Sequence, residues 1–139
     1  MARLSTMAPE LVPLINEASE DKRQSVKLAA CLFVMPLLTE VDRELLKDVS
    51  SLLLSGEPGS APLLEKLEAL AWSFDEKYLP MKERREYLKY FVHARGLTGL
   101  MLALKTNSVD SVCDCFYEIA HAADDKQPLF LKFVQTLLD

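Results

Sequence analysis

FVHARGLTGLMLALK, from Phe91 to Lys105, decides the fold class. With residues placed at about 100° steps, LTGLMLAL at 97–104 is apolar on every side, so as a helix it must be buried all round. A helix of that kind needs other helices around it. No run of four to eight residues alternates with β-branched enrichment between turn signals, and the chain holds only four glycines. The chain therefore reads as all-α: a single domain over residues 1–139, a bundle or short array of about six to seven helices packed as antiparallel pairs.

The long helix is expected from about Met81 to Lys105. Within it Val92, Gly96, Gly99 and Ala103 form a narrow stripe of small residues. Close approach of a neighbour there would offset the roughly 1 kcal/mol that each glycine costs inside a helix. GLTG lies inside the helix and is not a GxGxxG phosphate loop. Arg95 shares a face with Leu88, Phe91 and Leu102, so its guanidinium must snorkel, meet a carboxylate, or serve a partner or anion. His93, across the helix, reads as a polar face residue.

Caps and prolines number the other segments. Ser5 or Thr6 is expected to cap a first helix through about Ala18, kinked by Pro13. Ser19 opens a second, whose apolar run VKLAACLFVM meets Pro36, and Asp42 caps DRELLKDVSSLLL up to Gly56. After the linker SGEPGS at 55–60, Ser60 with Pro62 starts a helix that runs to Pro80. Trp72, Leu70, Phe74 and Tyr78 on it read as core, as do Tyr87, Tyr90 and Phe91 on the next. Ser108 caps the following helix, and Pro128 precedes a last amphipathic one, LFLKFVQTLL.

A chain of 139 residues can bury a core without staples. Half its residues are hydrophobic and 27% are charged, a globular composition, and no apolar run is long enough to span a membrane. MARLSTMAPELVPL is broken by Glu10 and two prolines, so no secretory leader is expected and the cytoplasm is the expected location. Three cysteines form no disulfide framework. The net charge of -5 excludes a phosphate-backbone footprint and suits a basic partner. The basic cluster KERREYLK is diluted by Glu83 and Glu86.

DSVCDCFYEIAHAADD, at 110–125, gathers two cysteines, a histidine and five carboxylates. Cys113 and Cys115 lie about 160° apart around the helix and cannot share one ion. CxC is not zinc-knuckle spacing, and Glu118-x-x-His121 has no second such motif to make a di-iron site, so no metal and no cofactor is expected. Cys113 and His121 are two turns apart, too far for a nucleophile and its base, and no catalytic arrangement is seen. Val112, Phe116, Ile119, Ala120 and Ala123 make a buried face. Asp110, Asp114, Glu118, His121 and Asp125 fall within about 80° on the other side. This stripe reads either as a solvated acidic face or as the receiving surface for a cationic partner.

The late helix reading DSVCDCFYEIAHAADD, after a long helix containing FVHARGLTGLMLALK, resembles the small helical immunity proteins that bacteria encode beside toxins. The resemblance spans mainly residues 87–125 and rests on layout and the YEIAHAADD segment. It implies tight stoichiometric binding of a toxin domain with no catalysis by this chain. The expected partner is then a protein, a basic toxin domain if the toxin acts on nucleic acid, met through the acidic stripe by a monomer or homodimer. The alternative is a helical adaptor or secretion chaperone with an apolar groove, which exposed Leu129, Phe130 or Phe133 would favour.

Overall fold

Helix starts and stops follow the polar and proline punctuation. The structure, a computed structural model, describes residues 2–139, with side chains from Arg3 onward. Among the described residues there are eight α-helices and no strand, so the chain is an all-α bundle. The helices are α1 (Ala2–Met7), α2 (Leu11–Glu17), α3 (Glu20–Val34), α4 (Arg43–Ser55), α5 (Ala61–Tyr78), α6 (Arg84–Ala103), α7 (Val109–Ala123) and α8 (Gln127–Leu138). Short 3₁₀ turns at Met35–Leu37 and Asp124–Lys126 follow α3 and α7.

The expected first helix is two. Pro9 lacks an amide hydrogen and disfavours helical geometry at Ala8, so α1 ends before it, and Ser5 and Thr6 lie inside α1 instead of capping. Pro13 falls in the first turn of α2, where amides have no helical partner anyway, and is tolerated there. The other caps form as read. The hydroxyls of Ser19, Ser60 and Ser108 accept from the amides of Lys22, Leu63 and Ser111, and Asp42 accepts from Glu44. Gly56 ends α4 in the left-handed region at φ 75°. The linker after it is tied down, since the Gly59 amide donates to the Leu104 carbonyl at 2.9 Å. α6 begins at Arg84 instead of Met81, after Glu83 in extended geometry, and the Met81 amide donates to the Tyr78 carbonyl in the preceding turn.

α6 is the central element. It packs along α5 on one side and α7 on the other, while α3 crosses behind and touches α6, α7 and α8. Ala94, Gly96, Leu97, Gly99, Leu100 and Ala103 of α6 are all buried. The two glycines serve different neighbours. A Cβ on Gly96 would lie 2.7 Å from a Leu38 terminal methyl, and one on Gly99 would lie 2.7 Å from Cγ1 of Ile119 on α7. One hydrophobic core joins side chains from all eight helices. No helix among the described residues is long and apolar enough to cross a membrane.

Two side chains read from the sequence are placed differently. His93 is buried, not on a polar face: its Nε2 accepts from the Glu40 amide at 2.9 Å and its Nδ1 meets the Lys89 carbonyl at 2.8 Å. Those two contacts require the neutral ring with its hydrogen on Nδ1. Trp72 is not core but 62% exposed. Helical stepping explains this, because Trp72 stands about 160° from both Leu70 and Phe74 and never shared their face. Phe74 is buried and stacks with Tyr90, and Tyr78 packs against Tyr87 and Phe91 across the α5–α6 seam.

The glycine contacts give an ordered expectation. Gly99→Ala should destabilise by about 1–3 kcal/mol, because Cγ1 of β-branched Ile119 cannot swing aside. Gly96→Ala should cost less, because the end of Leu38 can change rotamer and alanine itself favours a helix. Chemical denaturation of both variants checks the order, and equal or reversed losses would contradict it.

Candidate functional site

α7 carries four of the five polar residues read as an acidic stripe, and the bundle separates them. Asp110 is exposed, Asp114 and His121 are partly buried, and Glu118 is only 3% exposed. Asp125 is exposed but lies beyond α7, in the 3₁₀ turn that begins at Asp124 with a positive φ of 52°. The shared side of the helix is therefore not an open face. Its middle is covered by α1 and α6.

Glu118 is covered by two arginines. Arg95 of α6 donates from Nη1 to Glu118 Oε2 at 2.9 Å, and its Nη2 reaches both oxygens of Asp75 on α5, at 3.3 and 3.1 Å. Arg3 of α1 donates to Glu118 Oε1 at 3.4 Å, lies 3.7 Å from Asp114, and stacks 4.9 Å over the Tyr117 ring. The sequence Asp75, Arg95, Glu118, Arg3, Asp114 is thus a chain of alternating charge through four helices. Burial pushes the Arg95 guanidinium down, but the Glu118 and Asp75 carboxylates reverse this and leave it above its usual value. Burial, with a hydrogen bond to Asp75, likewise raises the Tyr78 hydroxyl. Of the readings open for Arg95, the carboxylate partner is the one observed.

Beside this chain lies an open groove between α5, α6 and α7. Trp72 divides it. One hollow, of about 440 Å³, is walled by Trp72, Tyr78, Leu79, Phe91, Tyr117 and His121, with Arg3, Asp75, Arg95 and Glu118 also at its surface. The other, of about 640 Å³, runs between Trp72, Ala69, Ala71, Thr98 and Met101, with Glu65, Glu68, Asp75 and Lys105 at its edges. Trp72 and Asp75 belong to both. Leu79 is 66% exposed, so two large apolar side chains stand in the open along α5.

That face of α5 is also acidic. Glu65, Glu68, Asp75, Glu76 and Leu79 all lie within about 60° of Trp72 around the helix, while Lys66 and Lys77 lie more than 100° away. The Lys77 ammonium sits over the Phe74 and Tyr90 rings, at 5.0 and 5.7 Å. Among the described residues, Glu65, Glu68 and Glu76 form no ion pair. The spacing of 65, 68, 72, 76 and 79 at steps of three and four was present in the sequence. Assigning Trp72 to the core hid it.

The remaining reactive groups are enclosed. Cys31, Cys113 and Cys115 are free and buried. Burial raises the Cys113 thiol to about 11, and a hydrogen bond that the Cys31 thiol donates to Cys115, with burial, raises Cys31. Lys27, also buried, is lowered by desolvation and donates to the Thr106 carbonyl at 3.2 Å and to the Asn107 side chain. Among the described residues no cluster of three His, Cys, Asp or Glu is placed to hold a metal ion. On the far side, Leu32 of α3 and Leu129, Phe133 and Leu137 of α8 are exposed, while Phe130 is fully buried against Phe33.

The buried charge chain makes a double-mutant expectation. Arg95→Met should destabilise by about 3 kcal/mol, because Asp75 and Glu118 are left without their shared cation. Adding Glu118→Leu should recover part of that loss, which thermal unfolding of the single and double variants would measure. A double variant that loses the sum of the two singles would contradict the coupling. Comparison with protein-family models, curated proteins and solved structures returns no match for this chain.

Proposed function

We propose that this chain is a non-catalytic binding protein that neutralises a cognate bacterial toxin by direct contact. Its docking surface is the α5–α6–α7 groove centred on Trp72. The observation that carries this reading is the 62% exposure of the chain's one tryptophan beside exposed Leu79, on a face with unpaired glutamates. Tryptophan is the residue type most enriched among side chains that dominate binding energy, and leaving it in water is unfavourable unless something covers it. The acidic rim suits a basic partner, which would be steered in quickly at low salt. The toxin assignment rests on the resemblance of residues 87–125 to helical immunity proteins. The three cysteines are buried, and burial raises the Cys113 thiol away from the thiolate that a nucleophile needs, which is compatible with a role without catalysis.

A second reading is favoured by a different observation. Leu32, Leu129, Phe133 and Leu137 form an exposed apolar row on α3 and α8, the surface that an adaptor or secretion chaperone would offer to an apolar segment.

Capture of partners on the tagged chain at low and high salt, followed by expression of the captured protein with and without this chain, tests both. The toxin reading expects a partner that arrests growth alone, is silenced by this chain, and is lost with Trp72→Ala. A harmless partner, insensitive to Trp72→Ala but lost with Phe133→Glu, would replace it with the adaptor reading.

A further inference from the structure

We infer that the two hollows beside Trp72 take a cationic amphipathic segment of the partner, with one apolar side chain seated on each side of the indole and Lys or Arg side chains against Glu65, Glu68 and Glu76. This rests on the docking surface proposed above and adds the chemistry of its occupant.

The argument begins with which charges are already used. Asp75 and Glu118 are neutralised internally by Arg95 and Arg3, so neither calls for an outside cation. What an incoming segment meets is Glu65 and Glu68 at the edge of the larger hollow and Glu76 farther along the same side of α5, all exposed, with Lys105 as the base among the described residues lining that hollow. Two carboxylates at the edge of an apolar hollow, with a third on the same side of the helix, select positive charge and reject negative charge.

This disfavours three other occupants. A second copy of this chain would bring two acidic rims together at a net charge of -5 each. An anionic lipid surface or a nucleic acid would be repelled by the same glutamates. A purely apolar segment would leave the rim uncompensated. It would also find a more neutral surface on α3 and α8.

The groove floor explains why the segment must be amphipathic and not merely basic. Ala69, Ala71 and Met101 line one hollow and Tyr78, Phe91 and Tyr117 the other, so each offers apolar contact with a polar rim. The ridge of Trp72 between them requires two side chains, one per hollow. That division sets the register of the bound segment. It also means that the indole changes environment on binding.

The test uses Trp72 as the reporter, since it is the only tryptophan. The probe is a synthetic amphipathic peptide of about 18 residues with leucine on one side and arginine on the other, compared with its leucine–glutamate counterpart. The expected result is a saturable shift of Trp72 fluorescence with the arginine peptide alone, weakened by salt. Glu65→Lys with Glu68→Lys should weaken it about tenfold or more, while Asp110→Lys with Asp125→Lys, an equal change in net charge, should leave it within about threefold. Equal weakening by both pairs would overturn the proposal, because it would reduce binding to net charge. Binding of the glutamate peptide, or no fluorescence shift with either peptide, would overturn it as well. If the peptide fails but capture of the natural partner still depends on Trp72, this inference alone falls; if capture is also indifferent to Trp72, the docking surface falls with it.

Discussion

Arg95 holds the site in place. Its guanidinium joins Asp75 on α5 to Glu118 on α7, from the middle of the helix that lies between them. Such a contact is a poor source of net stability. Taking the charges out of water costs several kcal/mol, and the Arg95 Nε is buried without an acceptor among the described residues. Its contribution is to specify one arrangement. One guanidinium that reaches a carboxylate on each neighbouring helix ties α5 and α7 to α6 at one position along each. The smaller hollow beside Trp72 is walled by those three helices with Arg3 of α1, and the larger one by α5 and α6, so the groove's shape depends on how they are joined.

Close packing on α6 complements this constraint. Gly96 admits Leu38, just past the 3₁₀ turn that follows α3, and Gly99 admits Ile119 of α7, so α6 lies close to both neighbours. With its inner side filled this tightly, α6 sends Arg95 and Phe91 toward the α5–α7 side, where both reach the groove. Arg3 then closes the chain of charge from α1, stacked on Tyr117 and paired with Glu118. Charges that a partner would otherwise have to satisfy are satisfied within the bundle. Among the described residues, Glu65, Glu68 and Glu76 on the exposed side of α5 take no part in that chain of charge.

Much of the fold was legible because it is decided locally. Ser19, Asp42, Ser60 and Ser108 cap helices through amides two or three residues away, and Gly56 ends one by its own backbone preference. The burial of the second half of α6 could be read because that stretch has no polar side. Arg95 could be flagged because it breaks an apolar face, but nothing within its own helix named Asp75 and Glu118 as partners. The same limit explains the other departures. His93 is buried because a backbone amide from residue 40 comes to it, and Glu118 is buried because Arg3 arrives from more than a hundred residues away. Of the stripe, Asp110, Asp114, Glu118 and His121 lie on α7 while Asp125 falls past its end, and the exposure of the four depended on helices elsewhere in the chain. Trp72 was misplaced for another reason: its size suggested core, while its angular position already set it apart from Leu70 and Phe74.

The most direct test is hydroxyl-radical footprinting of side chains in the free chain and in its complex with the captured partner. The expected result is strong protection of Trp72 and Leu79, with Leu32, Leu129 and Phe133 oxidised as readily as before. Protection of the α3 and α8 leucines with Trp72 unchanged would contradict it, and would move the partner to the opposite face of the bundle.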